Sequence, residues 1–280
     1  MSAGHGYTHW NKVSDHWAFL GPPLKPGPED IDIVLGAIER YRARVAGRPY
    51  RAVLWGVTPE LASMGWPDET ELVAIDRSDR MISLVWPGNV PGVRRAVVGE
   101  WSETLRIVGA PCDLILGDGS LNDSPFPDEY RDLMRAARKC LDEQGLVVMR
   151  LHARPESSES VTDVVEDLIA LKIGSFHVFK FRLAMALQES PEAGIELSRV
   201  WEGWRALGIR EKELAERTGW DLRVIHTIDL YRDNPNLYSF PTLAQQLEVF
   251  ELAGFDAREV IVPSYEMGDR RPIVVLSCRG

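Results

Sequence analysis

Residues 53–61 read VLWGVTPEL and residues 73–82 read VAIDRSDRMI. Each begins as an apolar run, and each run ends abruptly, the first at Gly56 and the second at Asp76. A strand that is apolar on both faces belongs inside a parallel sheet covered by helices. Thr58-Pro59-Glu60 then supplies an N-cap, a first-turn proline and a first-turn acid, the start signals of a helix. The same unit recurs downstream. Val93–Gly99, Cys112–Gly117 and Gly145–Leu151 read as further strands, and Asp79–Val85, Trp101–Ile107 and Phe126–Leu141 as the helices between them. Alternating strands and helices imply parallel pairing through right-handed crossovers.

Outward from this core, residues 1–28 hold Tyr7, Trp10 and Trp17 and then the turn-rich run GPPLKPGPED at 21–30, whose prolines forbid a regular helix until Pro28-Glu29-Asp30, which reads as a first helical turn. A helix over IDIVLGAIERYRARV, 31–45, leads into the first strand. Beyond the fifth strand, residues 156–235 carry helical periodicity and no convincing strand: VTDVVEDLIALKI at 161–173, SFHVFKFRLAMALQ at 175–188 and IELSRVWEGWRALGI at 195–209. A helix over Thr242–Ala253 precedes two last strands, Ala257–Pro263 and Pro272–Cys278, joined by a turn around Gly268 as an antiparallel hairpin. The expected fold is α/β: a Rossmann-like seven-stranded, mostly parallel sheet with a terminal antiparallel β-hairpin and a helical insertion before it. One domain of 280 residues would divide into an aromatic entry segment (1–48), a cofactor-binding half (49–152), a helical cap over the acceptor (153–240) and a closing helix and hairpin (241–280).

In an open parallel sheet ligands bind beyond the carboxyl ends of the strands. The residues there are Gly56-Val57-Thr58, then Asp76, then Gly99-Glu100-Trp101, then Gly117-Asp118-Gly119. Asp76 lies twenty residues after Gly56, the spacing at which a carboxylate reaches the ribose hydroxyls of an adenosine; its alternative role is to cap the turn into Ser78. A dinucleotide site needs several glycines so that backbone N–H groups can cradle a pyrophosphate. Only Gly56 is present, with Thr58 and Glu60 where further glycines would stand, so the loop disfavours NAD and tolerates S-adenosylmethionine, which has no phosphate. Glu100 and Trp101 can offer the adenine an acceptor and a flat apolar surface; Trp101 could equally be core. Asp118, between two glycines, stands where the methyl donor would end, or caps a turn before Asn122.

The ordered set VLWGVTPEL, VAIDRSDRMI, VVGEWSETL (97–105), CDLILGDGSLN (112–122) and LDEQGLVVMR (141–150), with the final hairpin, resembles the class I S-adenosylmethionine-dependent methyltransferases over about 50–152 and 240–280. By that resemblance Gly56, Val57 and Thr58 hold the methionine part of S-adenosyl-L-methionine or of the product S-adenosyl-L-homocysteine, and Asp76 holds the ribose. Ser78 and Met81 flank the adenosine, Gly99, Glu100 and Trp101 meet the adenine, and Asp118 and Gly119 line the donor pocket. The sequence departs from the family pattern at Leu54, where an acid is usual, and at Thr58 and Glu60.

The activity implied is methyl transfer to an O or N atom of a small organic molecule; the alternative is a non-catalytic S-adenosylmethionine-binding module or partner subunit. A base with a pKa near the operating pH would assist such a transfer. Of six histidines, His152 follows the fifth strand at the correct end of the sheet, and His177 lies on an apolar helix of the insertion. Asp118, His152 and His177 are the candidate catalytic residues, and Tyr7, Trp10, Trp17 and His177 the candidate acceptor contacts. No His, Asp or Glu cluster has metal-ligand spacing, so transfer without a metal is expected. The formal net charge is −10 and no basic run exceeds a pair, which argues against nucleic acid. No apolar stretch is long enough for a bilayer, and the N-terminal stretch lacks a signal-peptide core. Three widely spaced cysteines suit reduced thiols. The expectation is a cytoplasmic enzyme without a membrane partner; a homodimer stays open.

Overall fold

A computed structural model describes residues 5–42 and 48–280, with side chains from residue 9 onward. Five strands alternate with short helices in its first half: β1 (Tyr50–Trp55), β2 (Thr70–Asp76), β3 (Arg94–Val98), β4 (Cys112–Asp118) and β5 (Leu141–Arg150). Ahead of them stand α1 (His5–Asp15) and α2 (Pro28–Arg42). Between them lie α3 (Pro59–Ala62), α4 (Asp79–Val85), α5 (Thr104–Val108) and α6 (Asp128–Cys140). The insertion holds α7 (Val161–Ile169), α8 (Phe176–Leu187), α9 (Leu197–Ala206), α10 (Glu211–Thr218) and α11 (Leu222–Ile225), and also a minimal antiparallel sheet of β6 (Ile195–Glu196) and β7 (Leu237–Tyr238). The chain closes with α12 (Leu243–Leu252), β8 (Phe255–Ile261) and β9 (Ile273–Cys278).

Seven strands form one sheet in the order β3-β2-β1-β4-β5-β9-β8. β1 pairs parallel with both β2 and β4, so the connection reverses direction between β1 and β4. That is the switch point at which the tips of neighbouring strands diverge and leave a crevice. β9 runs antiparallel to β5 and to β8, giving the terminal hairpin expected from the sequence. One expectation fails. Ile195–Glu196 begins what reads as a continuous helix but is extended, and α9 starts at Leu197. The two residues pair with Leu237–Tyr238, a contact across forty residues that helical periodicity does not report.

The strands alternate side chains to two faces. Val53, Trp55, Ile75, Ile115, Val147 and Met149 pack against α6 and α12 on one face. Ala52, Leu54, Leu72, Leu116 and Val148 meet α2 and α4 on the other. A third apolar cluster lies in the insertion, around Phe176, Phe179, Trp204 and Phe240, with Trp10 and Trp17 of the entry segment packed against it. Among the described residues no helix is long and apolar enough to cross a membrane.

Candidate functional site

A cleft of about 1020 Å³, counting its open mouth, lies over the carboxyl ends of β1, β2, β4 and β5. Its floor is the strand tips. Its roof is α1 with the Trp17–Phe19 turn, and its far wall is α8 and the 226–231 turn of the insertion.

On the floor, Gly56 takes φ +104°, where a side chain would be strained, and a Cβ there would meet nothing within 4 Å. The turn is therefore sharp and the space above it open. α3 follows at once but has only four residues, and Pro59 removes one of its free N–H groups. Such a stub has little dipole with which to bind phosphate. Glu60 is held by Lys25 at 3.2 Å.

Asp76 terminates β2 with its side chain buried. Its Oδ1 accepts the Ser78 N–H at 2.8 Å, so it does cap that turn; the carboxylate also lines the cleft. Burial, with the charge of Asp123 nearby, pushes its pKa up to about 6 against the opposing pull of the Ser78 hydrogen bond. Trp101 lies flat against Trp55, rings 5.8 Å apart and 11° from parallel, and donates to the Ile75 carbonyl at 2.8 Å. Arg77 sits 5.6 Å from the Trp101 ring centre.

The roof is tied to both halves of the molecule. Trp10 Nε1 donates to Asp123 Oδ2 at 3.0 Å, and Ser78 Oγ donates to Asn11 Oδ1 at 2.7 Å. On the insertion side Asn234 Nδ2 donates to His9 Nδ1 at 2.7 Å, which leaves the proton on Nε2 to be donated to the Tyr238 hydroxyl at 3.2 Å. Burial and the nearby Lys180 hold the His9 pKa down to about 3, so the imidazole is neutral.

Several cleft-facing polar atoms have no partner. Both ring nitrogens of His152 are buried and unbonded, and so is Asp123 Oδ1. The His152 ring stacks on Phe181 at 4.7 Å. Gly119, at φ +62°, lies so close beneath it that a Cβ would overlap the imidazole. Lys180, 2% exposed, reaches only the Thr227 hydroxyl, at 3.3 Å, and lies over the Tyr231 ring. Burial brings its pKa down to about 7.

The cleft brings together Gly56, Val57, Thr58, Asp76, Met81, Trp101, Asp118, Gly119, His152, Trp10 and Trp17 of the residues singled out from sequence. Others fall outside its lining. Ser78 is buried as the N-cap of α4, accepting the Met81 N–H at 3.0 Å. Gly99 packs under Ile107, and Glu100 turns toward Arg77 at 3.9 Å. The side chain of Tyr7 lies outside the described residues.

Two candidate bases need correction. His177 does not line the cleft; it donates from Nε2 to the Phe19 carbonyl at 3.0 Å and pins the entry segment to α8. Asp118 reaches the cleft, yet its Oδ1 is engaged by Arg150 Nε at 2.7 Å and Arg271 Nη2 at 3.3 Å. Arg150 in turn meets Asp30 at 3.2 Å, so two acids and two arginines form one buried cluster of zero net charge. The oxygen that would take a proton is thus engaged by the cluster's two guanidiniums. Sequence reading missed Lys180, Asp123 and Arg271. Lys180 did leave a signal, as the lone cation within the apolar run FHVFKF.

No protein-family model matches the chain, and no curated protein sequence matches it. Solved structures do. One from Rhodobacter sphaeroides, provisionally described as a Zn-dependent alcohol dehydrogenase, is 14% identical, with 99% of this chain and 100% of that one covered at a TM-score of 0.62. The CcbJ methyltransferase from Streptomyces caelestis is 15% identical, with 98% and 99% covered at 0.55. A protein from Nostoc punctiforme PCC 73102, provisionally described as an O-methyltransferase, is 13% identical over 95% of this chain and 59% of its own, at 0.53. At these identities the likeness shows the fold alone: the Rossmann-like fold of class I methyltransferases, spanning almost the whole chain. Among the described residues no group of three or more His, Cys, Asp and Glu side chains is placed to hold a metal ion.

Proposed function

We propose that the protein transfers a methyl group from S-adenosylmethionine to an O or N atom of a small organic molecule. The observation that carries this reading is the composition of one cleft: an open single-glycine turn and the buried carboxylate of Asp76 at its floor, with aromatic side chains and unbonded polar groups on its walls. Asp76 would accept the ribose hydroxyls, and the open space above Gly56 would take the methionine part. The short α3 and its proline suit a donor without phosphates better than a dinucleotide. The donor supplies an electrophilic methyl on a sulfonium. The chain's own residues align the acceptor with it, which can account for much of the rate. His152 and Lys180 line the cleft with nitrogens able to take up or share the acceptor's proton, and α1 lies over them as a roof. The printed descriptions of CcbJ and of the Nostoc protein as methyltransferases agree with this reading.

The description of the Rhodobacter protein favours a second reading, a nicotinamide oxidoreductase. Calorimetry separates the two. Saturable binding of S-adenosylmethionine and S-adenosylhomocysteine, with none of NAD(H), is the expected result; the reverse order refutes methyl transfer. Incubation with isotopically labelled donor and a cell extract should then label a low-molecular-weight product rather than protein or RNA.

A further inference from the structure

The far wall of the cleft contains a cation without a counter-ion. Lys180 sits mid-way along α8, with Phe179 and Phe181 on either side in sequence, and is 2% exposed. Among the described residues no carboxylate lies within ion-pair distance of it. Its polar contact is the Thr227 hydroxyl, which itself donates to the Val224 carbonyl and so has a lone pair left for the ammonium. Isolated burial of an ammonium costs several kcal/mol unless charge or hydrogen bonds are returned to it. Elsewhere the same fold gives its buried cations carboxylate partners: Arg150 meets Asp30 and Asp118, and Arg271 meets Asp118 through Nη2. The neighbouring imidazoles of His9 and His177 are held neutral by burial and by Lys180 itself, so they add no second positive charge.

A second, independent vacancy of partners lies on the same cleft. His152 offers two ring nitrogens with no protein partner, fixed in place by the Phe181 stack and the close approach of Gly119. His152 and Lys180 line the same cleft, His152 against Phe181 and Lys180 against Thr227 and Tyr231. Tyr231 and Phe181 give this wall flat apolar faces. An ammonium and an imidazole among aromatic rings recognise a planar group that ends in a negatively charged oxygen.

We propose that the acceptor is a small aromatic molecule bearing an anionic oxygen, carboxylate or phenolate, which is seated on Lys180 with His152 as its second polar contact. This inference rests on the methyl-transfer reading for the word acceptor, but not for the anion site itself. Lys180 is in this view a specificity-determining residue: the ligand supplies the charge that the fold withholds.

The test is calorimetric binding of the three hydroxybenzoates and of the three matching hydroxybenzamides to the full chain, with and without S-adenosylhomocysteine. The expected result is at least one hydroxybenzoate bound about tenfold or more tightly than its amide, equivalent to about 1.4 kcal/mol. Lys180→Met should abolish that preference and leave S-adenosylhomocysteine affinity unchanged, and Lys180→Arg should restore it. Equal affinity for acid and amide, no saturable binding of any hydroxybenzoate at millimolar concentration, or a preference that survives in Lys180→Met would overturn the proposal. If Lys180→Met does not fold, the acid-against-amide comparison in wild type and Lys180→Arg decides alone. Absence of S-adenosylhomocysteine binding sinks the methyl-transfer reading, while the anion preference stays measurable without it.

Discussion

Replacing Asp76 by Asn should make the ligand-free protein more stable and the ligand-bound protein less so. Asp76 is buried, and its pKa is raised from an ordinary 3.8 to about 6. That difference corresponds to about 3 kcal/mol by which folding favours the protonated form, since each pH unit is worth 1.36 kcal/mol. For an acid raised in this way the native state holds a proton that the unfolded chain has already released. Wild-type stability therefore falls as pH rises from about 4 to about 6 and is then level, so far as this group is concerned. Asn keeps the oxygen that accepts the Ser78 N–H and never ionises. Denaturant unfolding without ligand should show Asp76→Asn overtaking the wild type between those pH values and exceeding it by up to about 3 kcal/mol at pH 7.5. Donor affinity should move oppositely. Losing charge-assisted bonds to two ribose hydroxyls costs about 1.5–3 kcal/mol, roughly tenfold to a hundredfold in Kd. Wild-type affinity for S-adenosylmethionine should itself increase as pH rises through about 6, as the carboxylate forms. A variant that is less stable at every pH, or one that binds the donor as well as wild type does, refutes this account of the ribose site.

Lys180→Met should likewise stabilise the empty protein by a few kcal/mol at neutral pH, because a lysine lowered from 10.5 to about 7 is charged when unfolded and penalised when buried; for this base the wild type should recover stability as pH rises from 7 toward 10.5, and a thermal melt series that shows no such recovery contradicts it. Asp118→Ala should lose about 3–5 kcal/mol of stability in denaturant unfolding by leaving Arg150 and Arg271 short of a partner; a variant of native stability that merely fails to turn over would return Asp118 to the chemistry. Gly119→Ala should cost about 1–3 kcal/mol, since alanine is strained at φ +62° and its methyl displaces His152; an unchanged melting temperature would show that the ring has room to move. Trp10→Phe should weaken donor and acceptor binding together by about 1–2 kcal/mol, as the roof loses its bond to Asp123; unaltered affinities in calorimetry would remove α1 from the closed site.

The sheet was legible because each of its strands advertises itself locally. ELVAID and CDLILG each carry a four-residue apolar run, LVAI and LILG, that meets a turn residue at the strand tip, so the alternation of strands and helices is visible without any long-range information. The floor of the site was readable for the same reason: Gly56, Asp76 and Asp118 are placed by strand ends, and strand ends can be found from sequence. The walls were not. Whether Asp118 is a base or a strut depends on Arg150, Arg271 and Asp30, which come from β5, the closing turn and α2. His177 and His152 look alike in sequence, each beside apolar residues. One donates to the Phe19 carbonyl and the other stacks on Phe181 with both ring nitrogens unbonded, a difference set by the path of the entry segment over α8. The pairing of Ile195 with Tyr238 was hidden because two-residue strands carry no period.

The cleft and the cluster beside it handle buried charge in opposite ways. Asp30, Arg150, Asp118 and Arg271 are drawn from four separate parts of the chain and balance one another. Within the adjoining cleft, the charge of Asp123 opposes Asp76 more than Arg77 supports it, and among the described residues no acid pairs with Lys180. Each of these two mismatches costs folding energy, and joining Asp76 to Lys180 would relieve both. They stand instead at different ends of the cleft, one on the tip of β2 and one on α8. Groups kept apart in this way are open to ligands that present hydroxyls at the floor and negative charge at the wall. A donor carrying a ribose and an acceptor carrying an anion, held end to end, meet that description. The cost of leaving both groups unmatched in the empty protein then reappears as binding energy when the two ligands are held together.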